Sequence, residues 1–404
     1  MNVNQQVIYL MRGVEYGDPA MFEVMKNELR DRLIESERLG KPLRVYCGYD
    51  PRTSDLHIGH TVTMRKLRQF QELGHHVIFV IGTYTALIGD PSDKDKLRAQ
   101  LSPEEAKENA ATYAEQAFRI LDRDQTEVRY NAEWLENLTF RDLIHLASNF
   151  TLQQFLTREN FRKRWDSEEA IYFHELFYAI MQGYDAYALD ADVQVGGSDQ
   201  MFNIMTAARK IMSYYQVKPN IGIILPILPG TDGELKMSKS LGNHIPLKTT
   251  PEDMFGKIMS VPDKAMPSYA RLVTRWTVDE IDDFERAVEK GEIHPRDAKM
   301  ELAKEITEAF FDKEKAEFAK NHFISLFQKG DTPEVIPDFS PVGEPVLLEV
   351  LVDSGLVKSK SQARRLIQQN GVKIDGQAVS DPYLVLSPQA VVQVGKRHFI
   401  RISE

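Results

Sequence analysis

Residues 43–50 read LRVYCGYD, and they begin the pattern that decides the fold. The stretch is typical of a strand that ends in a turn at Pro51. Residues 57–73 then carry apolar side chains at helical spacing, and Gly74 after them is a typical helix cap. Residues 77–81, VIFVI, form the short apolar run expected of a parallel strand buried on both faces. Strand, helix and strand in this order predict an α/β fold with a doubly wound, Rossmann-like parallel sheet, whose ligands bind where strands end.

The remaining segments predict the domain plan. Residues 102–190 and 251–328 are mostly helical in pattern, while residues 191–230 show strand-like and loop-like segments around one helix. Four prolines between residues 329 and 345 predict a stiff connector. We therefore expect four regions: a catalytic domain with a helical insertion (1–245), a helical domain (246–330), a linker (331–345) and a small α+β domain (346–404).

The composition is that of an ordinary soluble protein, with 42% hydrophobic and 27% charged residues. Residues 1–17 lack the basic-then-apolar pattern of a secretory leader. No apolar run approaches the roughly 20 residues that a membrane helix needs. A single cysteine, Cys47, excludes an internal disulfide and a multi-cysteine zinc site. We therefore expect a cytoplasmic protein without a membrane partner.

Charge is distributed unevenly along the chain. The net charge of −10 argues against a nucleic-acid partner, but residues 345–404 contain eight basic and five acidic side chains. A basic module on an acidic body is typical of proteins that bind a polyanion. The alternative is an ordinary fluctuation of charge along the sequence.

The first chemical motif is HIGH at residues 57–60. On the predicted helix His57 and His60 share one face of the first turn, where backbone N–H groups and the helix dipole favour a phosphate. Gly59 leaves room for a flat base to approach the backbone. The two histidines can donate hydrogen bonds to phosphate oxygens as negative charge grows, or they are a solvated pair on a helix surface.

The second motif is KMSKS at residues 236–240, after a turn-rich loop. This match arises by chance in roughly one in ten thousand chains of this length. Lys236 and Lys239, with the hydroxyls of Ser238 and Ser240, form a mobile cationic clamp that suits a pyrophosphate leaving group. The sequence lacks the two common phosphate-binding signatures, GxGxxG and GxxxxGK followed by Ser or Thr.

Residues 168–189 predict a long helix with one polar stripe, formed by Glu175, Tyr178, Gln182 and Asp185. Burying an unpaired polar group costs about 1–3 kcal/mol, so a buried stripe needs partners. The stripe is either a solvated face or a set of groups directed at a ligand. We favour the second interpretation, groups directed at a ligand, because the opposite face of the helix is not typical of a solvated surface.

Taken together, the two motifs resemble those of class I aminoacyl-tRNA synthetases. Further segments resemble bacterial tyrosyl-tRNA synthetases in particular, and the resemblance extends over about residues 1–404. The segments that carry it are YCGYDP (46–51), TALIGDP (85–91), YxxxQxxD (178–185), GGSDQ (196–200) and HPRDAK (294–299).

The resemblance implies a binding site for L-tyrosine. Tyr46 and an ionised Asp185 would bind the phenol hydroxyl. Asp90 and two residues of the stripe would bind the ammonium group. Phenylalanine would leave the hydroxyl partners unpaired, and synthetases of this family are the standard example of that mode of rejection. The implied site comprises Tyr46, Thr85, Asp90, Tyr178, Gln182, Asp185 and Gln200.

The resemblance also implies an ATP site, with Mg²⁺ arriving on the nucleotide and no metal ligands of the protein's own. Lys94 and Arg98 match the cations of a mobile loop that closes on pyrophosphate. The alternative interpretation is that residues 93–98 are only a solvated run of charged side chains. The family threonine near the γ-phosphate is replaced by Arg52, with Thr53 one position later, which leaves that contact open. The implied ATP-binding residues are Cys47, Gly48, Asp50, Gly59, Gly197, Asp199, Lys236, Ser238, Lys239 and Ser240; the implied catalytic residues are His57, His60, Lys94, Arg98, Lys236 and Lys239.

The C-terminal segment resembles the S4-like RNA-binding domain of bacterial tyrosyl-tRNA synthetases. Its basic residues would contact RNA phosphates and give affinity more than base specificity. The alternative is a basic folding module without RNA contact. The implied contacts are Lys358, Lys360, Arg364, Arg365 and Lys373.

We therefore expect a homodimeric tyrosine–tRNA ligase whose partners are L-tyrosine, ATP and tRNA(Tyr). Three alternatives remain at this point. They are a tryptophanyl-tRNA synthetase, a nucleotidyltransferase with the same histidine motif, and a non-catalytic RNA-binding protein on a synthetase scaffold.

Overall fold

The structure is a computed structural model that describes residues 1–51, 55–91, 102–326, 336–341, 343–357, 359–395 and 398–403. The chain divides into two compact units, Met1–Ala316 and Glu317–Glu404. The domain boundaries expected from the sequence remain predictions.

The first unit is built on five parallel strands: β1 Arg44–Tyr49, β2 His76–Ile81, β3 Thr126–Tyr130, β4 Val193–Gly197 and β5 Ile221–Leu225. The helices before β4 are α1 Val3–Met11, α2 Pro19–Leu39, α3 Ile58–Glu72, α4 Thr85–Ile88, α5 Pro103–Ala117, α6 Ala132–Leu135, α7 Phe140–Ala147, α8 Leu152–Phe155, α9 Glu159–Asp166 and α10 Phe173–Ala188. Those after β4 are a π-helical segment Phe202–Ala208 and α11 Arg209–Tyr214, then α12 Pro251–Met259, α13 Met266–Val273, α14 Val278–Glu289 and α15 Pro295–Phe310. The helix α16 Lys313–Ile324 contains the boundary between the two units.

The strand order is β3-β2-β1-β4-β5. β2 and β3 lie on one side of β1, and β4 and β5 lie on the other, so the strand order reverses between β1 and β4. All neighbouring strands in this sheet are parallel. The α/β doubly wound fold predicted from the sequence is therefore confirmed. In such a sheet the crevice at the carboxyl ends of β1 and β4 is the expected ligand site.

Local sequence explains where several helices begin. Asp18 accepts a hydrogen bond from the backbone of Ala20, and Thr250 accepts one from Asp253, each directly before a proline at the first helical position. Such caps satisfy free N–H groups of the first turn, and proline tolerates that position because its missing N–H is not needed. Among the described residues, no helix is long and apolar enough to cross a membrane.

One helix start was predicted wrongly, and one strand was not predicted. The helix predicted from residue 168 begins at Phe173, because Glu168 adopts a positive φ of 54° and Tyr172 is still extended. The segment predicted as mostly helical also contains β3, whose residues are only half-buried at the sheet edge or exposed. A strand without a fully buried face lacks the apolar run that marks β2.

The second unit contains a mixed sheet and two helices. Its described elements are β6 Asp338–Phe339, α17 Leu347–Asp353, α18 Lys360–Gln368, β7 Val372–Ile374, β8 Gln377–Ala378, β9 Val391–Val394 and β10 His398–Ile402. The strand order is β6-β10-β9-β7-β8. Apolar residues of both helices pack with Val372, Val392 and Ile400 in one core.

Candidate active site

A cavity of about 380 Å³ lies at the carboxyl ends of β1, β4 and β5 in the first unit. It contains every described residue that the sequence predicted for catalysis, tyrosine and ATP, except Ser240, which is exposed. Lys94, Arg98, Arg52 and Thr53 lie outside the described residues. The predicted residues along the cavity are Tyr46, Cys47, Gly48, Asp50, His57, Gly59, His60, Thr85, Asp90, Tyr178, Gln182, Asp185, Gly197, Asp199, Gln200, Lys236, Ser238 and Lys239.

The two chemical motifs meet through backbone pairing. Ile58 donates its N–H to the carbonyl of Ile245 at 2.9 Å, and Leu247 donates to the carbonyl of Leu56 at 2.9 Å. This short antiparallel contact fixes the segment after KMSKS against the start of α3. Motifs far apart in the sequence therefore face one cavity.

His57 and His60 lie with their ring centres 3.9 Å apart at the start of α3. Nδ1 of His60 lies 3.2 Å from the backbone nitrogen of His57 and 3.3 Å from its carbonyl oxygen, so the His57 backbone orients the His60 ring. Burial is the main cause that lowers the pKa of His60 to about 4 and of His57 to about 2. Both rings are therefore neutral hydrogen-bond donors at pH 7.

Gly59 leaves space for the His57 ring as well as for the cavity. A Cβ atom at this position would lie 3.0 Å from Cε1 and Nδ1 of His57. That distance is shorter than ordinary van der Waals contact, so a larger residue would displace the ring. The glycine therefore fixes the orientation of His57 in addition to the open approach that the sequence suggested.

The lysines of KMSKS face carboxylates across the cavity. Nζ of Lys236 lies 3.7 Å from Oδ2 of Asp199, and Nζ of Lys239 lies 3.3 Å from Oδ2 of Asp55. Asn243 anchors the loop, because its side chain accepts from the backbone of Ser238 at 2.8 Å and donates to the carbonyl of Lys236 at 3.1 Å. Sequence analysis did not identify Asn243, since it lies outside the recognised motif.

Tyr46 and Asp185 form the closed end of the cavity. Their exposed fractions are 1% and 4%, and the Tyr46 hydroxyl has no hydrogen-bond partner among the described residues. Burial raises the pKa of Asp185 to about 8. The carboxyl group therefore holds its proton to a higher pH than a free aspartate does, and the ionised form expected for the tyrosine-bound site remains a prediction.

Two residues that sequence analysis missed hold Asp185. Nε1 of Trp134 donates to its Oδ1 at 2.7 Å, and Nδ2 of Asn131 lies 3.4 Å from its Oδ2. Both donors lower the pKa of Asp185 and oppose the effect of burial. Asn131 directly follows β3, so recognising that strand would have identified it by the strand-end rule.

A second network orders the wall next to Asp185. The Thr85 hydroxyl donates to Oδ1 of Asp50 at 2.7 Å, and the Tyr178 hydroxyl donates to Oδ2 at 3.0 Å. Asn131 donates to the Thr85 hydroxyl at 2.9 Å. A Cβ atom at Gly82 would lie 2.2 Å from Asp50, so the network requires glycine there.

Asp90 lies in a third network beside the mouth of the tyrosine end. Nε2 of Gln200 donates to its Oδ2 at 2.5 Å, and Nη2 of the buried Arg158 lies 3.9 Å from its Oδ1. Asn203 donates to the side-chain oxygens of Gln182 and Gln200 at 2.9 and 3.0 Å. Arg158 and Asn203 were not identified from the sequence, because neither belongs to a recognised motif.

Glu175 does not belong to the cavity, which corrects part of the predicted ligand stripe. Its carboxylate forms a buried ion pair with both terminal nitrogens of Arg164, at 2.7 and 2.8 Å, and accepts from the backbone of Tyr172. Glu175 lies in the first turn of α10, where a carboxylate caps the helix. The other three residues of the stripe line the cavity.

The second unit exposes the described residues predicted to bind RNA. Lys360, Arg364 and Arg365 lie on α18, and Lys373 lies on β7. Nζ of Lys360 is paired with Glu349 at 2.7 Å. Lys358 lies outside the described residues.

Sequence comparison decides the family. The description "tRNA synthetases class I (W and Y)" matches residues 38–328 of the chain. The chain belongs to the class I tyrosyl-tRNA synthetase family, since tyrosine–tRNA ligases that are 44–46% identical match 94–99% of its length. The S4 domain description matches residues 347–392 of this synthetase. The predicted family, its S4 domain and its enzyme class are thereby confirmed.

Relatives resemble this synthetase along most of its length. The tyrosine–tRNA ligases of Carboxydothermus hydrogenoformans and Thermotoga maritima are each 46% identical to it, with 94% of both chains covered. The tyrosine–tRNA ligase of Moorella thermoacetica is 44% identical, with 99% of this chain and 96% of the relative covered.

Solved structures share the fold of this synthetase. The tyrosyl-tRNA synthetase from Archaeoglobus fulgidus complexed with L-tyrosine is 23% identical, with a TM-score of 0.60, and 79% of this chain and 100% of that chain are covered. The truncated mitochondrial tyrosyl-tRNA synthetase from Aspergillus nidulans is 21% identical, with a TM-score of 0.62 and coverages of 80% and 99%.

Proposed function

We propose that the cavity of the first unit joins L-tyrosine to AMP and then passes tyrosine to the 3′ end of tRNA(Tyr). The overall activity, predicted from the sequence, is that of a tyrosine–tRNA ligase, the name carried by relatives that are 44–46% identical. One observation supports the division of roles most strongly: a single cavity is lined by the buried polar groups of Tyr46 and Asp185 and also by the histidines and lysines of the two motifs. Amino-acid-dependent exchange of pyrophosphate into ATP tests it.

At the tyrosine end, the substrate phenol meets two buried groups. The Tyr46 hydroxyl, which has no partner among the described residues, can donate to the phenol oxygen. Asp185 can accept the phenol proton, since Trp134 already occupies its other oxygen. Asp90, with Tyr178 and Gln182, would bind the ammonium group, and an ionised carboxylate suits that charge.

At the phosphate end, one tyrosine carboxylate oxygen attacks the α-phosphorus of ATP. The bond from this phosphorus to the bridging oxygen breaks, and pyrophosphate leaves with the bond's electron pair. His57 and His60 would donate neutral hydrogen bonds where charge grows, while Lys236 and Lys239 would exchange their carboxylate partners for phosphate oxygens. Catalysis then comes from position and electrostatics rather than from a covalent enzyme intermediate.

In the second step a terminal ribose hydroxyl of tRNA attacks the adenylate carbonyl, AMP leaves with the electron pair of the broken bond, and the hydroxyl proton passes to the departing phosphate or to water. Mg²⁺ would enter with ATP and neutralise its phosphate charge. We infer a cytoplasmic location, because ATP and tRNA are available there. By family analogy, the helical region 246–330 contacts the anticodon region of the tRNA.

Deletion of residues 346–404 tests the role of the C-terminal region. We expect tyrosine-dependent pyrophosphate exchange to stay within about twofold, because the cavity residues belong to the first unit. We expect kcat/KM for tRNA charging to fall about 10²-fold or more, because several phosphate contacts are lost. A truncated chain that charges tRNA at the parent rate would contradict the assignment.

A homodimer is the remaining proposal, by analogy with the family. Exposed apolar side chains support it, since Phe140 on α7 is 78% exposed and Phe173 at the start of α10 is 73% exposed. Ile144, on the same helix as Phe140, and Trp165 are also exposed. Sedimentation equilibrium of the full chain should give the mass of two 46.3-kDa subunits, and a single-chain mass at micromolar concentration would refute the proposal.

A further inference from the structure

The segment 381–386 of the second unit presents three apolar side chains to solvent. Tyr383 is 62% exposed, and Leu384 and Val385 beside it are 38% and 49% exposed. Their neighbour Leu386 is buried in the core of the unit. Consecutive exposed apolar residues in a module with a formed core are typical of a surface that a partner covers.

The backbone of this segment is held firmly. Leu347 and Leu348, at the start of α17, donate their N–H groups to the carbonyls of Leu384 and Pro382 at 2.9 and 3.0 Å. Leu386 donates to the carbonyl of Pro345 at 2.9 Å, and Tyr383 donates to Oδ1 of Asp381 at 2.9 Å. The Tyr383 ring is therefore presented from an ordered backbone, so less conformational entropy is lost when a partner binds.

Positive charge lies directly beside the ring. Nη2 of Arg364 donates to the Tyr383 hydroxyl at 3.3 Å, which links the segment to α18. Arg365 follows on the same helix and is exposed. Within the part of the chain that the structure describes, neither arginine forms an ion pair with a carboxylate, whereas Lys360 is paired with Glu349.

A planar exposed ring beside unpaired guanidinium groups suits one ligand chemistry. An unpaired nucleotide offers a flat base that stacks on an aromatic face and a phosphate that guanidinium groups bind. A paired base in a duplex is already stacked on its neighbours and cannot use the ring in this way. An acidic peptide would satisfy the arginines but would not need an aromatic face.

We propose that Tyr383 is a stacking platform for an unpaired nucleotide of the bound tRNA, and that Arg364 and Arg365 bind the phosphates next to it. This inference rests on the proposed function, because it takes tRNA as the partner. It adds to the basic contacts expected of the domain a residue that acts through its ring rather than through charge. It also gives the C-terminal domain a way to distinguish looped from duplex RNA.

The test measures binding of the full chain to a tRNA(Tyr) transcript by fluorescence anisotropy, at several salt concentrations. We expect Tyr383→Ala to weaken binding about tenfold, within the range found for loss of one base–aromatic stack. The slope of log K against log salt should not change, because no phosphate contact is lost. Arg364→Gln or Arg365→Gln should instead reduce the magnitude of that slope by about 0.7–0.9 each.

Tyr383→Phe is the matched control, since it keeps the ring and removes the hydroxyl that Arg364 contacts. We expect it to bind within about twofold of the parent protein. Equal weakening by Phe and Ala would overturn the proposal, because the hydroxyl rather than the ring would matter. Parental binding by Tyr383→Ala would also overturn it, as would a change in its salt slope.

Pyrophosphate exchange with tyrosine, measured without tRNA, separates this inference from the proposed function. All four variants should retain exchange and thermal stability, because the substituted side chains are exposed and outside the cavity. Absence of exchange in the parent protein would refute the proposed function itself. Normal exchange together with unchanged tRNA binding by Tyr383→Ala would refute the platform alone.

Discussion

Replacing His57 and His60 together by alanine should lower the rate of tyrosyl-adenylate formation by about 10³–10⁴-fold. Each ring is a half-buried neutral donor, and loss of one such preorganised donor costs about 10²–10³ in rate. The two losses should not be fully additive, because the rings lie 3.9 Å apart and act on one phosphate group. Single-turnover formation of adenylate, without tRNA, measures the effect.

Tyrosine affinity provides the internal control for the histidine variant. The KM or dissociation constant for tyrosine should stay within about threefold, because the phenol-binding end lies on β1 and α10 rather than on α3. His398→Ala, an exposed histidine of the second unit, should leave both quantities unchanged. A double variant that forms adenylate at the parent rate would show that these rings do not stabilise the transition state.

Asp185→Asn should lower kcat/KM for tyrosine by about 10²-fold and weaken discrimination against phenylalanine. The amide has one acceptor oxygen, which Trp134 would occupy, so the substrate hydroxyl would lose its acceptor. An unpaired buried hydroxyl costs about 1–3 kcal/mol. Phenylalanine has no hydroxyl and should be affected far less. Exchange kinetics with both amino acids measure the ratio.

The same substitution should stabilise the ligand-free protein at high pH. The pKa of Asp185 is about 8 in the folded chain, whereas a freely exposed aspartate has a pKa of 3.8, so the folded state holds the proton more tightly between these two pH values. The free energy of unfolding therefore falls as the pH rises from about 4 to 8, and this loss disappears when the carboxyl is replaced. We expect Asp185→Asn to be about 1–2 kcal/mol more stable than the parent at pH 8.

Denaturant unfolding at two pH values checks the stability effect. The difference between Asp185→Asn and the parent should shrink as the pH falls from about 8 and be smallest below 3.8, where the parent carboxyl is mostly protonated in both states. Asp124→Asn, at an exposed position, should show no such pH dependence. A variant less stable than the parent at pH 8 would mean that Asp185 carries its charge favourably in the empty cavity.

The fold was predictable because its central strands are buried on both faces. β2 is fully apolar after its first residue, and β1 ends in the turn that opens the cavity. β3 was missed for the opposite reason, since its half-buried edge position leaves no strong apolar pattern. Because β3 was not predicted, Asn131, the residue directly after this strand, was not identified either.

Some residues of the candidate site could likewise be predicted from the sequence, and others could not. His57, Lys236 and Tyr178 belong to short motifs whose spacing the sequence displays directly. Trp134 donates to Asp185 and Asn203 donates to Gln182 from elements without a motif, and only the three-dimensional contacts identify these two donors. Glu175 fits the helical spacing of the stripe, but spacing alone does not distinguish a capping carboxylate from one that faces a ligand.

The most direct measurement is exchange of labelled pyrophosphate into ATP, with each of the twenty amino acids and without tRNA. The account predicts exchange with tyrosine alone, because Tyr46 and Asp185 provide a donor and an acceptor for one phenol hydroxyl in a closed pocket. Exchange with tryptophan in place of tyrosine would contradict the assignment of that pocket. Absence of exchange with every amino acid, in folded protein, would contradict the proposed activation of tyrosine.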